Sequence, residues 1–282
     1  VEHCATSHVE KMRSLVAVAL LASLTAVNAG YDPQLGLHYA YVAGSAYCSQ
    51  SQLETWSWAA SGNVTDVSFV SYAYDETHNL AAWVGRTSDG SGLVSFRGTI
   101  PSSLKNWITD LEAGKQVPYD GCDGCKVHDG FYDGWKALSG QILQALQSIG
   151  GTGLPRVDVT GHSLGAAMAA IASYELGNRG YTVGDVYTYG QPRVGNPSFA
   201  DALMARLPQN IRVTHWDDIV VHLPYEWMGY HHPALEIFYN EANTAYTVCN
   251  GSGEDDNCAD QFDGASIHDH LHYVGIPISG LC

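Results

Sequence analysis

Apolar positions along this chain switch between two spacings. In residues 33–47, Leu37, Ala40, Tyr41, Gly44 and Ala46 recur at helical intervals, which predicts a helix packed closely along one side. Residues 67–74 and 80–84 alternate or run apolar, with a turn-like segment at 75–79, and so predict a hairpin. Residues 93–96 read as a buried strand. Trp135, Leu138, Ile142, Ala145, Leu146 and Ile149 fall on one helical face, and Gly150-Gly-Thr-Gly153 ends it. A short strand through Val157 and Val159 then runs into an alanine-rich helix. Residues 185–189 predict a strand, 197–207 a helix with proline near its start, 211–215 a strand, and 234–239 the last strand. Strands alternating with helices after an antiparallel opening predict an α/β fold with a mostly parallel central sheet flanked by helices. The chain shows no internal repeat and no linker long enough to divide domains.

Between the Val157 strand and the alanine-rich helix lies Gly161-His162-Ser163-Leu164-Gly165, a G-x-S-x-G pentapeptide. A strand-to-helix turn this tight strains its middle residue and leaves the serine hydroxyl standing above the sheet edge. The following helix aims backbone N–H groups at the place where an oxyanion forms. Ser163 is therefore the candidate nucleophile, and the fold class expected is that of the α/β-hydrolases. A serine hydroxyl needs a base, and the base needs an acid to fix its tautomer. In this fold class the chain order is serine, acid, histidine. Asp217 and Asp218 follow the strand at 211–215, and His268, His270 and His272 lie near the end. Spacing alone does not choose within either set.

Composition narrows the partners. With 13 basic and 29 acidic side chains the net charge is −16, which disfavours nucleic acid and anionic membranes as partners. Met12-Arg13, the apolar run at 14–27 and Val27-Asn28-Ala29 read as a secretory signal. Residues 1–29 are thus expected to be a leader and signal peptide, and residues 30–282 a single secreted, extracellular domain with no membrane-spanning segment. Six of the seven cysteines follow the leader, which predicts three disulfides. Of fifteen possible pairings, the set adopted is Cys122–Cys125 and Cys249–Cys258 as local loops, with Cys48–Cys282 tying the first helix to the C-terminus. A zinc or redox role for Cys122, Cys125 and His128 competes with this, but zinc requires more ligands around it. Asn63-Val-Thr and Asn250-Gly-Ser are glycosylation acceptors.

The pentapeptide occurs together with Phe96-Arg-Gly98, Asn106-Trp-Ile-Thr-Asp-Leu111, Cys122-Asp-Gly-Cys-Lys-Val-His-Asp-Gly-Phe131, Tyr189-Gly-Gln-Pro-Arg-Val-Gly-Asn196, Asp218-Ile-Val and Asp269-His-Leu-His-Tyr273. With these motifs residues 41–282 resemble the class 3 lipases of the filamentous-fungal type. The resemblance implies Ser163 as nucleophile, Asp218 as acid, His270 as base, and Thr99 and Leu164 as oxyanion donors. It implies no metal and no cofactor, and the cysteines resemble the family's three-disulfide set. Asp110 is placed to orient Thr99. The departures are Ala166 for a glycine, Gln191 for a small residue, Val221 for a proline, and an insertion around Ile100-Pro101.

Ile100, Leu104, Trp107, Ile108 and Leu111 recur at helical spacing directly after Thr99. An ordinary surface helix fits this pattern. Its position beside Ser163 and the resemblance point instead to a lid, with Leu104, Trp107, Ile108 and Leu111 turning outward at an oil–water interface. The expected activity is triacylglycerol hydrolysis through an acyl-enzyme, by a monomer whose partner is a lipid ester at that interface. A feruloyl or other aromatic esterase on the same scaffold is the nearest alternative and would carry a more polar lid. An inactive lipid-binding relative is a third reading, against which all three triad positions and both oxyanion positions are filled by competent residues.

Overall fold

The computed structural model describes residues 30–111 and 114–282. The leader and signal expected at 1–29 lie outside the described residues. Helix α1 (Pro33–Ser45) begins where the Asp32 carboxylate accepts the Gln34 N–H at 2.8 Å and Pro33 presets the first turn. Helix α2 (Gln50–Glu54) opens on a capping box between Ser49 and Gln52. Strands β1 (Val67–Asp75), β2 (Leu80–Thr87) and β3 (Gly92–Phe96) pair antiparallel in sequence, with a register shift in β1 between Phe69 and Ser71. Helix α3 (Pro101–Leu111) follows, with the inserted Pro101 as its first residue.

A short hairpin, β4 (Gln116–Pro118) and β5 (Lys126–His128), leads into helix α4 (Asp129–Ser148). This helix starts six residues before Trp135, where the apolar period begins. The His128 imidazole caps it by accepting the Gly130 N–H at 3.1 Å, and Asp129 sits in the first turn. Gly130 and Gly134 hid that extra turn from the sequence pattern.

The parallel part of the sheet follows. It contains β6 (Val157–His162), helix α5 (Leu164–Asn178), β7 (Val183–Tyr189), helix α6 (Pro197–Arg206), β8 (Asn210–His215) and β9 (Glu236–Tyr239). A further strand, β10 (Tyr246–Val248), pairs antiparallel with β9, so β9 is not the last strand as expected. Its three residues, Tyr246, Thr247 and Val248, are too few for a strand period to register. Helix α7 (Ile267–His270) and a small ribbon of β11 (His272–Tyr273) and β12 (Ile276–Pro277) close the chain. Sheet order is β1-β2-β3-β6-β7-β8-β9-β10, parallel from β3 to β9.

Alternate residues of β6 show the layering. Val157 and Val159 join the main core with Trp135, Leu138 and Ile142 of α4 and the interior of α5. Asp158 points to the other face, where it lines a cleft with Tyr39 of α1. Helix α5 is buried all round, from Ala166 through Ala172, because α4 covers the side the sheet does not. Asp32–Cys282 forms one compact unit.

Among the described residues the disulfides are Cys48–Cys282, Cys122–Cys125 and Cys249–Cys258, spanning 234, 3 and 9 residues. Loop-closure entropy therefore ranks them. Removing Cys48–Cys282 by paired serine substitution should cost about 5 kcal/mol, and removing Cys122–Cys125 about 2 kcal/mol. Urea unfolding of the two double variants measures this. Equal losses would show that chain entropy does not govern the long bridge.

Candidate active site

Strand β6 ends in Gly161-His162, and the backbone turns at Ser163 with φ 61° and ψ −130°. Such a conformation costs a non-glycine residue about 1–3 kcal/mol and persists only where packing over-determines it. Here packing does. A Cβ on Gly161 would run into the Gly165 carbonyl oxygen, and a Cβ on Gly165 into the Phe96 carbonyl oxygen of β3. Glycine at both positions lets α5 begin directly against β3. The Ser163 N–H is tied to the Tyr189 carbonyl at 2.9 Å, but its hydroxyl caps nothing and has no hydrogen-bond partner. Leu164 starts α5, where first-turn N–H groups lack intrahelical acceptors.

The candidate acid lies just past the C-terminal end of β8. Asp218 is fully buried, and its Oδ1 accepts the Val220 N–H at 2.7 Å. Its two oxygens lie 3.0 and 2.9 Å from His270 Nδ1, and Oδ2 also accepts the Tyr273 hydroxyl. Burial by itself raises the Asp218 carboxyl. The adjacent His270 and the hydrogen bonds from His270, Tyr273 and Val220 outweigh it and hold the group below its ordinary value. Asp217 does other work, since its Oδ1 accepts the N–H groups of Gly264 and Ala265, each at 3.1 Å. That brace fixes the loop leading into α7.

His270 ends α7, a single turn capped by the Ser266 hydroxyl on the Asp269 N–H at 3.0 Å. Donation from Nδ1 to an ionised Asp218 leaves Nε2 as the acceptor nitrogen, buried and unpartnered. His268 and His272 instead stack on each other at 4.2 Å, with the His268 side chain 77% exposed. The structure thus brings Ser163, Asp218 and His270 to one end of the sheet. All three are fully buried, and Ser163 Oγ and His270 Nε2 are not hydrogen-bonded to each other.

Two supports carried no sequence signal beyond their residue types. Tyr273 holds the Asp218 carboxylate from a ribbon three residues past His270. His162, inside the pentapeptide, accepts the Tyr47 hydroxyl on Nδ1 at 2.7 Å and donates from Nε2 to the His270 carbonyl at 2.7 Å. Its ring lies 4.5 Å from that of His270. Burial, and then the neighbouring His270, push His162 down to about 3, so it stays neutral beneath its partner. A third support is Arg193, whose guanidinium binds the His222 carbonyl at 2.5 Å and Glu254 at 2.9 and 2.7 Å, bracing the loop behind Asp218.

Thr99 and Leu164 line a cleft of about 260 Å³ together with Leu80, Ile100, Ser103, Trp107 and Asp110. The Thr99 hydroxyl is buried without a partner, so Asp110 is not bonded to it, contrary to expectation. Leu104, Ile108 and Leu111 of α3 turn into the main core, and Trp107 packs half-buried against it with its ring 6.4 Å from that of Phe131. Among the described residues, Glu226, His231 and Glu254 bring donor atoms within 4.8 Å of one another. Both Glu254 oxygens are already taken by Arg193, which leaves little there for a cation.

A family model described as Lipase (class 3) matches residues 93–228. A lipase from Rhizomucor miehei is 31% identical over 255 residues, covering 87% of this chain and 69% of that protein. The secreted mono- and diacylglycerol lipase 1 of Fusarium solani is 41% identical over 149 residues, 51% of this chain and 42% of that protein. The chain therefore spans less than half the length of the Fusarium relative. A solved triacylglycerol lipase, whose catalytic centre is described as a serine-protease triad, superposes with TM-score 0.77 at 28% identity, covering 87% of this chain and 95% of that one.

Because Asp218 is held below its ordinary value near 3.8, its ionised form contributes stability. That contribution is complete above the unfolded carboxylate value and is lost as pH falls through the lower folded one. Asp218→Asn should flatten the acid limb of stability below about pH 4. It should also cost about 1–3 kcal/mol at pH 7, because an amide leaves one of three buried donors unpaired. Urea midpoints of both proteins from pH 2 to 7 measure this, and an unchanged acid slope would show that the carboxylate is not held ionised.

Proposed function

Because the chain belongs to the class 3 lipase family, we propose that it is a secreted serine hydrolase that cleaves the carboxylic esters of acylglycerols through an acyl-enzyme. The observation that carries this reading is the buried meeting of the strained Ser163 elbow with His270, whose Nδ1 lies 2.9 Å from the Asp218 carboxylate and whose Nε2 is left without a partner. Asp218 stays ionised and keeps the His270 proton on Nδ1. Nε2 then takes the proton from the Ser163 hydroxyl as Oγ attacks the ester carbonyl carbon. The carbonyl oxygen becomes an anion, received by the backbone N–H groups of Thr99 and Leu164, each worth roughly 3 kcal/mol in the transition state. As the tetrahedral intermediate collapses, the C–O bond to the alcohol breaks and His270 returns the proton to the departing oxygen. In the second half Nε2 takes a proton from water, the hydroxide adds to the acyl carbon, and Ser163 leaves with that proton. Neutral His162 matters here, because a second cation stacked on the imidazolium would oppose its formation.

The full burial of Ser163, Asp218 and His270 supports a lid. The covering element proposed is α3, which follows Thr99 directly and packs Leu104, Ile108 and Leu111 into the core with Trp107 against it. Transferring that face from core to lipid leaves its hydrophobic burial roughly intact, whereas transferring it to water costs on the order of a few kcal/mol. A lipid surface therefore shifts the closed–open equilibrium by more than tenfold. The same apolar face argues against the aromatic-esterase alternative, for which a more polar lid is expected. The names of the relatives support an extracellular location, and no helix among the described residues is long and apolar enough to cross a membrane.

The hydrolysis rate of a short-chain triglyceride should rise sharply as its concentration passes the solubility limit. Ser163→Ala should lose about 10⁴-fold or more of the rate on either side of that limit. Smooth saturation below the limit, with no further rise, would overturn the lid and favour an esterase. Retained activity in Ser163→Ala would overturn the nucleophile.

A further inference from the structure

Two aromatic side chains stand in water on the loop that follows Asp218. Trp227 is 81% exposed and Tyr225 37%. Their rings stack at 5.9 Å with 15° between planes. Among the described residues, the other exposed large apolar side chains reach only 36–42%. The pair sits on the single 3₁₀ turn Glu226–Met228, closed by the Gly229 N–H on the Glu226 carbonyl at 2.7 Å, with Gly229 at φ +85°. The turn is held from behind by Arg193, which binds the carbonyls of His222 and Pro224 and lies 3.6 Å from the Glu226 carboxylate. A large indole is thus presented to solvent on a braced frame.

Backbone bridges and buried rings link the turn to α3. Gly195 bridges both Val127 of β5 and His231 just beyond the turn. A line of rings then runs from Tyr230 to His128 at 6.1 Å, on to Phe131 at 4.1 Å and to Trp107 of α3 at 6.4 Å. Indole and phenol rings favour an apolar–aqueous boundary, where the ring body leaves water and the polar tip stays wet. Charge selects the kind of boundary. Glu226 is 55% exposed beside Trp227 and the chain carries −16, both of which oppose an anionic surface.

We propose that Tyr225 and Trp227 form a fixed anchor that docks the chain, lid closed, on the uncharged surface of an acylglycerol droplet. The proposal rests on the lipase reading and extends it. Docking precedes lid movement, because the anchor is exposed while α3 is packed inward. The anchor concentrates the protein at the surface and does not touch the reacting ester.

The test measures partition rather than turnover. Ser163→Ala protein, with and without Trp227→Ala, is mixed with triolein droplets coated with phosphatidylcholine, and the bound fraction is read after flotation. Trp227→Ala should weaken partition about tenfold with an unchanged unfolding midpoint, and Trp227→Phe should recover part of the loss. Unchanged partition overturns the anchor. Tighter binding when phosphatidylserine replaces phosphatidylcholine overturns the uncharged surface as the partner. A dimer in sedimentation that Trp227→Ala abolishes, with partition unchanged, assigns the pair to a second copy of this chain and also overturns it. Hydrolysis of emulsified tributyrin by the unsubstituted chain, abolished by Ser163→Ala, reports separately on the lipase reading, so failure of that reading and failure of the anchor are distinguishable.

Discussion

The close approach of α5 to β3 is the constraint on which the candidate site depends. It forces the backbone at Ser163 into a conformation that L-residues avoid, and it is possible only because Gly161 and Gly165 carry no side chain. Gly98 belongs to the same constraint, since a Cβ there would lie 2.9 Å from Ser163 Cβ. Three glycines thus set the spacing between the β3 exit, where Thr99 sits, and the helix start at Leu164. The strain is sustained by burial, since Ala166 through Ala172 are fully buried and α5 cannot slide away without exposing them.

The acid and base are positioned differently. They lie on loops, and loops need hydrogen bonds to be precise. Asp217 ties the two loops together through Gly264 and Ala265, Ser266 caps the one-turn helix of His270, and Arg193 braces the chain behind Asp218. Inside this frame Asp218 meets three donors and His270 meets Asp218 on one nitrogen and His162 through its carbonyl. The Cys48–Cys282 bridge acts on the same frame, because it fixes the segment next to Tyr47, whose hydroxyl holds His162.

What was legible in the sequence follows from the range of the interactions. The elbow was legible because its physics is local: a buried strand, two glycines and an alanine-rich helix within about fifteen residues. The parallel sheet was legible because its strands are apolar and separated by helical periods. Strand β10 was not, since Tyr246-Thr247-Val248 is too short for an alternation to stand out, and neither was the start of α4, where a histidine cap replaces apolar periodicity. The choice of Asp218 over Asp217 and of His270 over its neighbours was invisible to spacing and came from family resemblance. In the structure the reason is contact. Asp217 spends its oxygen on backbone, and His268 and His272 spend their rings on each other.

Full burial of the three residues has a further consequence for how free energy is spent. A site open to water would lose its low-dielectric surroundings, which strengthen each hydrogen bond to charge. Closing the site preserves those surroundings but removes access. On the proposed lid reading the chain needs an external source of free energy to open, and a lipid surface supplies it only to a molecule already held there. Lid residues cannot provide that hold, because Leu104, Ile108 and Leu111 are in the core while the site is closed. That reading calls for a separate, permanently exposed element, and Trp227, stacked on Tyr225, is the most exposed large apolar side chain among the described residues. The proposed anchor and the proposed lid would then be two parts of one energetic arrangement: the first fixes where the protein sits, and the second converts that position into access to Ser163.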